Sequence, residues 1–323
     1  MADKKKNPEI EEADIITLEF DGGEEVECEI MGVFDFNGKE YIALIPDDGT
    51  DDVYIYGYKE VGDDEFELVD IEDDAEFEGC GLAILLRQGG HDVRFLSCCN
   101  GSGGHHEMTP AETVARRAGE SRAVAKYLDI EYEVWSDMDD CSIVADLATR
   151  RRMIRYIRNY SPDVIITHRT NDYHADHRAV GQLVQDAAYL LIVPHECPDA
   201  PAMRREPVIL FFEDAFREPP FRMDIIIAVD SVAEKKFRSA ALNESQVYEW
   251  LPYTYEREAP PESAGEEARF AWLVGKRFTP GMSDEEILAE PFGYGPRFAK
   301  PAARYRRALI DRYGEERGRA VRY

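Results

Sequence analysis

The chain is 323 residues long and carries 66 acidic against 38 basic residues, a formal charge of −28, with 44% hydrophobic and 11% aromatic residues. That apolar content is enough for a core and excludes a wholly disordered chain. A surface this acidic repels phosphate backbones and anionic lipid, which argues against nucleic acid and membrane surfaces as partners.

The charge is unevenly placed. Residues 1–78 hold 28 acidic and 5 basic side chains, a net of −23, which leaves −5 for the rest. Two units are therefore expected, an acidic β-rich domain over 1–70 and a larger domain over 71–323. No apolar run approaches the ~18 residues needed to span a membrane, and the first residues lack the apolar stretch of a secretory signal. The six cysteines, at 28, 80, 98, 99, 141 and 197, are scattered without a C-x-x-C pair. They read as reduced thiols of a cytoplasmic protein.

In chain order, 15–20 reads as a strand and 21–23 as a turn. Val26, Cys28 and Ile30 alternate with glutamates, the period of a half-buried strand. Asn37-Gly38, between the strands 33–36 and 41–45, predicts a two-residue hairpin turn. After an acidic loop at 47–52, strands are expected at 53–56 and 66–69. From Gly79 the pattern alternates helix and strand: helix 81–88 capped by Gly89-Gly90, strand 93–97, helices 112–128 and 150–159, strand 164–167, helix 178–192, strands 207–212 and 224–230, and helix 232–243. Residues 252–282 read as a long loop and 301–319 as a basic closing helix. This alternation predicts an α/β fold with a doubly wound, mostly parallel sheet and a site at the C-terminal strand ends.

Three stretches could carry chemistry. His174-Ala175-Asp176-His177 follows the strand 164–167 and opens a helix; two imidazoles and a carboxylate there can hold a divalent metal and orient its ligand. The adjacent carboxylates Asp73 and Asp74 can divide labour between metal binding and proton transfer, although composition alone accounts for them in so acidic a segment. The run Asn100-Gly101-Ser102-Gly103-Gly104-His105-His106-Glu107 lacks a nucleotide-binding glycine spacing and reads as a tight substrate loop. Arg117 and Glu120, on the helix after it, have the spacing of a surface ion pair.

These stretches, with 161–178 and Glu244-Ser245-Gln246, resemble the PIG-L/LmbE-like family of metal-dependent de-N-acetylases from about residue 73 to 323. The resemblance implies a Rossmann-like sheet and zinc-dependent removal of acetyl groups from N-acetylglucosamine-type sugars or glycosides. It implies Asp74 and His177 as metal ligands and Asp73 as the base that activates water. It implies His174, polarised by Asp176, as the group serving the oxyanion or the leaving amine, and Arg117 as a substrate contact. The N-terminal segment is similar to a short acidic bacterial domain of unknown function. A homo-oligomer is compatible with the sequence.

The chain departs from the family at two positions. Its first motif, His-Pro-Asp-Asp, is Ile71-Glu72-Asp73-Asp74 here, so the third metal ligand is missing. The family's His before Glu-Ser-Gln is Asn243. The segment 66–71 also reads twice, as the last strand of the acidic sheet and as the first strand of the α/β sheet. We read this as a junction at which the second domain lost its first strand. Two readings follow, an impaired zinc deacetylase and a non-catalytic relative that binds a sugar or a partner.

Overall fold

The computed structural model describes residues 15–19, 25–36, 39–46, 54–62, 65–69, 75–214, 219–278, 282–290 and 293–323. The chain divides into two compact units, Met1–Asp73 and Asp74–Tyr323.

In the first unit, β1 (Ile15–Glu19), β2 (Glu25–Phe36), β3 (Lys39–Pro46), β4 (Tyr54–Gly62) and β5 (Glu65–Val69) form one antiparallel sheet in chain order. Phe36 pairs with Lys39, which sets a two-residue connection; Asn37-Gly38 itself lies outside the described residues, as does the acidic loop at 47–52. Cys28 is buried and its neighbour Glu27 exposed, the alternation read from the sequence. Residues 66–69 pair with β4, Leu68 opposite Tyr58 and Val69 opposite Gly57. The twice-readable segment is thus the last strand of this sheet.

The second unit runs α1 (Ala75–Gln88), β6 (Arg94–Ser97), α2 (Pro110–Leu128), β7 (Glu131–Val134), α3 (Leu147–Tyr160), β8 (Val164–Thr167), α4 (Ala175–Ala188), β9 (Val208–Phe211) and α5 (Ala233–Ala240). It closes with α6 (Leu251–Thr254), α7 (Glu266–Val274), α8 (Asp284–Leu288), α9 (Tyr294–Arg304), α10 (Arg306–Tyr313) and α11 (Glu315–Ala320). β6 pairs in parallel with β7, and β8 in parallel with β9. Neighbouring residues of a strand face opposite ways. Phe95 therefore packs against Ile84, Val124 and Leu128 of α1 and α2. Leu96, with Ile165 and Ile209 of the other ladder, packs against Met153, Ile154 and Leu183 of α3 and α4. Both ladders share that helical layer.

Helix α2 starts two residues before the expected 112. Thr109 and Glu112 form a reciprocal capping box around Pro110, and Asp129 closes the far end in the left-handed region. Beneath α3 the buried Arg158 donates to six backbone carbonyls, those of Leu190, Leu191, Val193, Glu196, Cys197 and Ala200, at 2.6–3.0 Å. One guanidinium thus adds to the turn's own backbone hydrogen bonds and is the donor to the Glu196 and Ala200 carbonyls.

Several elements differ from expectation. β7 was not foreseen, because Glu131–Val134 is only four residues long and half polar. The run Val164-Ile165-Ile166-Thr167 is continuous and apolar, the pattern of a strand buried in a parallel sheet, yet Val164 is 49% exposed, because each ladder holds only two strands among the described residues. Residues 224–230 form no ladder; Val229 instead donates to the Tyr323 carbonyl. The expected loop 252–282 contains α7, whose Phe270, Leu273 and Val274 bury beside Phe237 and Phe298. Their i, i+3, i+4 spacing is a helical stripe set among charged residues. The closing helix is three helices, broken at Tyr305 and at Gly314 with φ +82°.

Candidate active site

Loops from the C-terminal ends of β6, β7 and β8 meet. Asn100, after β6, is buried and ties two of them. Its Nδ2 donates to Asp139 Oδ1 at 2.8 Å, its backbone N–H donates to the Met138 carbonyl, and its Oδ1 accepts from Ser102 N–H. The β8 loop joins through Asp176, whose carboxylate accepts from the N–H groups of Cys141 at 2.8 Å and Ile143 at 3.0 Å.

His174 is the N-cap of α4, and its Nδ1 accepts the Asp176 N–H at 3.2 Å. In the neutral ring the proton therefore sits on Nε2, which faces the Cys141 thiol at 4.0 Å. Burial, then the neighbouring His177, hold the His174 pKa below the usual imidazole value, so the ring is neutral. The Asp176 carboxylate, expected to polarise this imidazole, is engaged with the β7 loop; its backbone N–H is what reaches His174.

Asp172 lies at the centre of the β8 loop and is buried. Its Oδ1 takes the His174 N–H at 2.9 Å and meets His177 Nδ1 at 2.9 Å. Burial opposes its ionisation, but the hydrogen bonds from His177 and the His174 N–H help outweigh it and lower its pKa. His168 stacks on His177 with ring centroids 3.9 Å apart and planes 11° apart. Burial, then His177, press its pKa down. Gly181 lets α4 come this close: a Cβ there would stand 2.6 Å from the His168 carbonyl oxygen.

His168, Asp172 and His177 hold donor atoms within 4.8 Å of one another, as do Cys99, Asp140 and Asp176. A metal binds an imidazole in the ring plane at about 2.0–2.1 Å. Two near-parallel stacked rings offer no common point, so His168 and His177 do not share an ion in this arrangement. The second group is already spent, Asp176 on two backbone N–H groups and Cys99 on Asp140 at 3.3 Å. Burial, then Asp140, raises the Cys99 pKa. The donor chemistry that fits a divalent metal is His177 Nε2, left over by the contact at Nδ1. Asp73, Asp74 and Ile71 lie outside the described residues.

The glycine-rich loop wraps Arg117, whose Nη2 donates to the Gly104 carbonyl at 2.8 Å. A Cβ at Gly104 would stand 2.4 Å from that guanidinium. Arg117 lines a cavity of about 100 Å³ with Cys99, Asn100, Glu120 and Asn243. Glu120 does not pair with Arg117. It is buried and accepts from Ser245 N–H at 2.8 Å and Ser245 Oγ at 2.7 Å, with Arg116 at 3.6 Å. Two motifs 125 positions apart thus become one contact. Ser245→Ala is expected to lower stability by about 1–2 kcal/mol, read as a shift of the urea midpoint with unchanged slope.

Sequence reasoning brought His174, Asp176 and His177 forward but did not single out Asp172, His168 or Glu249. Asn171-Asp172 ahead of a helix N-cap is a turn signature that could have drawn attention to Asp172. Glu249 had no local signal; it receives His105 Nε2 at 2.9 Å and both ends of the Arg116 guanidinium. Burial opposes its ionisation, yet those bonds lower its pKa.

The sequence pattern of the GlcNAc-PI de-N-acetylase family (PIG-L) matches residues 72–188, and that of a domain of unknown function (DUF1292) matches 21–81. A UPF0473 protein of Alkaliphilus oremlandii is 40% identical over 70 residues, 21% of this chain and 81% of that protein. The 4-oxalmesaconate hydratase of Pseudomonas putida is 27% identical over 149 residues, 46% of this chain. The chain spans 57% of that hydratase's length. The N,N′-diacetylchitobiose deacetylase of Pyrococcus horikoshii superposes with a TM-score of 0.50 at 17% identity, over 57% of this chain and 70% of that one, a likeness of fold. The N-terminal part of the chain therefore belongs to the UPF0473 (DUF1292) family, and residues 72–188 match the pattern of the PIG-L family. No helix among the described residues is long and apolar enough to cross a membrane.

Proposed function

We propose that the second unit is a zinc-dependent de-N-acetylase of impaired activity, acting on the acetamide of an N-acetylglucosamine-type substrate. The observation that carries this is the first turn of α4, where two imidazoles three residues apart stand at the C-terminal end of β8 on a carboxylate-braced loop. Helices on both faces of the β6–β7 ladder, α1 and α2 on one and α3 and α4 on the other, support a doubly wound, Rossmann-like plan with its site at the strand ends.

In this reading Asp74 and His177 hold zinc, which when bound supplies Lewis acidity and lowers the pKa of a water molecule. Asp73 takes the proton of the attacking water. His174, neutral and protonated on Nε2, donates to the carbonyl oxygen as it gains charge. Asp176 locks the β7 loop beside that imidazole, and Arg117 contacts the sugar. Ile71 offers no donor, so two protein ligands stand where three are expected. The matches of the two families overlap at 72–81, which supports a junction at that point.

Two other readings have support. Ile71 favours a non-catalytic relative that binds a sugar or a partner. The similarity to a hydratase favours water addition to a carbon–carbon double bond, which also needs an activated water. Metal analysis of the purified protein, followed by assay of amine release from N-acetylglucosamine and its glycosides, tests the proposal. It predicts zinc well below one per chain and amine release that rises with added zinc. No amine release at saturating zinc would sink it in favour of one of the other two readings.

A further inference from the structure

We infer that Asp172 is the positioning residue of this site: it fixes the tautomer of His177 and so decides which nitrogen is available to a metal. This rests on the deacetylase reading only for the identity of the ligand. An ionised carboxylate can accept hydrogen bonds and cannot donate them. The His177 nitrogen that faces Asp172 Oδ1 at 2.9 Å must therefore carry a proton, which puts N–H at Nδ1. In the neutral ring Nε2 then keeps its lone pair, the state a metal requires.

The placement of that carboxylate is independently held. The His174 N–H reaches the same Oδ1 at 2.9 Å, and the Arg178 guanidinium holds the Asp172 and Tyr173 carbonyls at 2.9 and 2.7 Å. His168, stacked at 3.9 Å, closes one face of the His177 ring and limits its rotation. The consequence is a division of labour within one helical turn. His174, with Nδ1 accepting a backbone N–H, presents a donor at Nε2. His177, with Nδ1 donating to Asp172, presents a lone pair at Nε2. Neither assignment follows from the residue types; each follows from what occupies Nδ1.

The test is nitrogen-15 NMR of the histidine rings in the full-length, metal-free protein, with zinc affinity measured in parallel against a chromophoric chelator. Wild type should show a protonated Nδ1 and an unprotonated Nε2 at His177. Asp172→Ala should shift the proton to Nε2 and weaken zinc binding roughly 10–100-fold. Asp172→Asn should keep the wild-type tautomer, because the His174 N–H holds the amide oxygen in the accepting position; it also controls for folding. A wild-type proton on Nε2, an unchanged tautomer in Asp172→Ala, or measurable zinc binding of equal affinity in wild type and Asp172→Ala overturns the inference. The expected tautomers with no zinc binding in either protein uphold Asp172 and defeat the deacetylase reading instead.

Discussion

Ile71→His raises zinc affinity on the order of a hundredfold. Structural zinc sites with four protein ligands bind with apparent free energies of about 10–16 kcal/mol, so one ligand is worth roughly 3 kcal/mol, or about two decades of affinity. The gain depends on the other donors. Asp74 must come within coordination range, and His177 must keep Nε2 free, which the Asp172 contact provides. Chelator competition reads the change directly, and amine release from an N-acetylated sugar should rise with it. An unchanged affinity would show that Asp73 and Asp74 do not stand where the family resemblance puts them. The loss of the family's first strand at the junction would then have displaced the whole carboxylate pair.

The second large effect concerns stability. Arg158→Met is expected to cost roughly 2–5 kcal/mol, the scale of leaving buried carbonyls without a donor. The side chain is 4% exposed and serves six carbonyls, with no carboxylate among the partners found for it. Methionine fills most of the volume and supplies no donor, so the Glu196 and Ala200 carbonyls would lose their donor, while those of Leu190, Leu191, Val193 and Cys197 would keep a backbone N–H. Urea denaturation of the full chain, followed by tryptophan fluorescence, would show the midpoint falling. Trp135 packs in the same cluster as Ile154 and Leu191 and reports on it directly. A loss below about 1 kcal/mol would mean that water replaces the guanidinium and the turn opens without penalty.

The surface charge pairs contrast with this. Arg152 meets Asp137 at 2.8 and 2.9 Å and Arg155 meets Asp199 at 2.6 Å, but these acids are largely exposed. Screening leaves such pairs little net effect on stability. The same residue type is decisive at 158 and minor at 152 because of desolvation.

Much of the architecture was legible in the residues. The charge imbalance marked the two units, the alternation at Glu27 and Cys28 marked a half-buried strand, and the helix read over 112–128 is α2 to within two residues. The site was legible as a set of residue types: His174, Asp176 and His177 were named from the motif, and they do open one helix. Those signals are local, since a cap or a periodic stripe involves residues within a turn or two of each other. Three matters were decided by tertiary structure. The alternating segment 66–69 suits either sheet, and only its ladder with β4 assigns it. Glu120 finds Ser245 rather than Arg117 because the partner lies 125 positions away and the fold brings it inside. The roles of the two imidazoles depend on the atom facing each Nδ1, and the chain path through Asp172 and the start of α4 puts those atoms there. Sequence thus determined which chemical groups are available. The fold decided which of their atoms are occupied and which are left free to act, because hydrogen bonds in a buried site are set by position to tenths of an ångström.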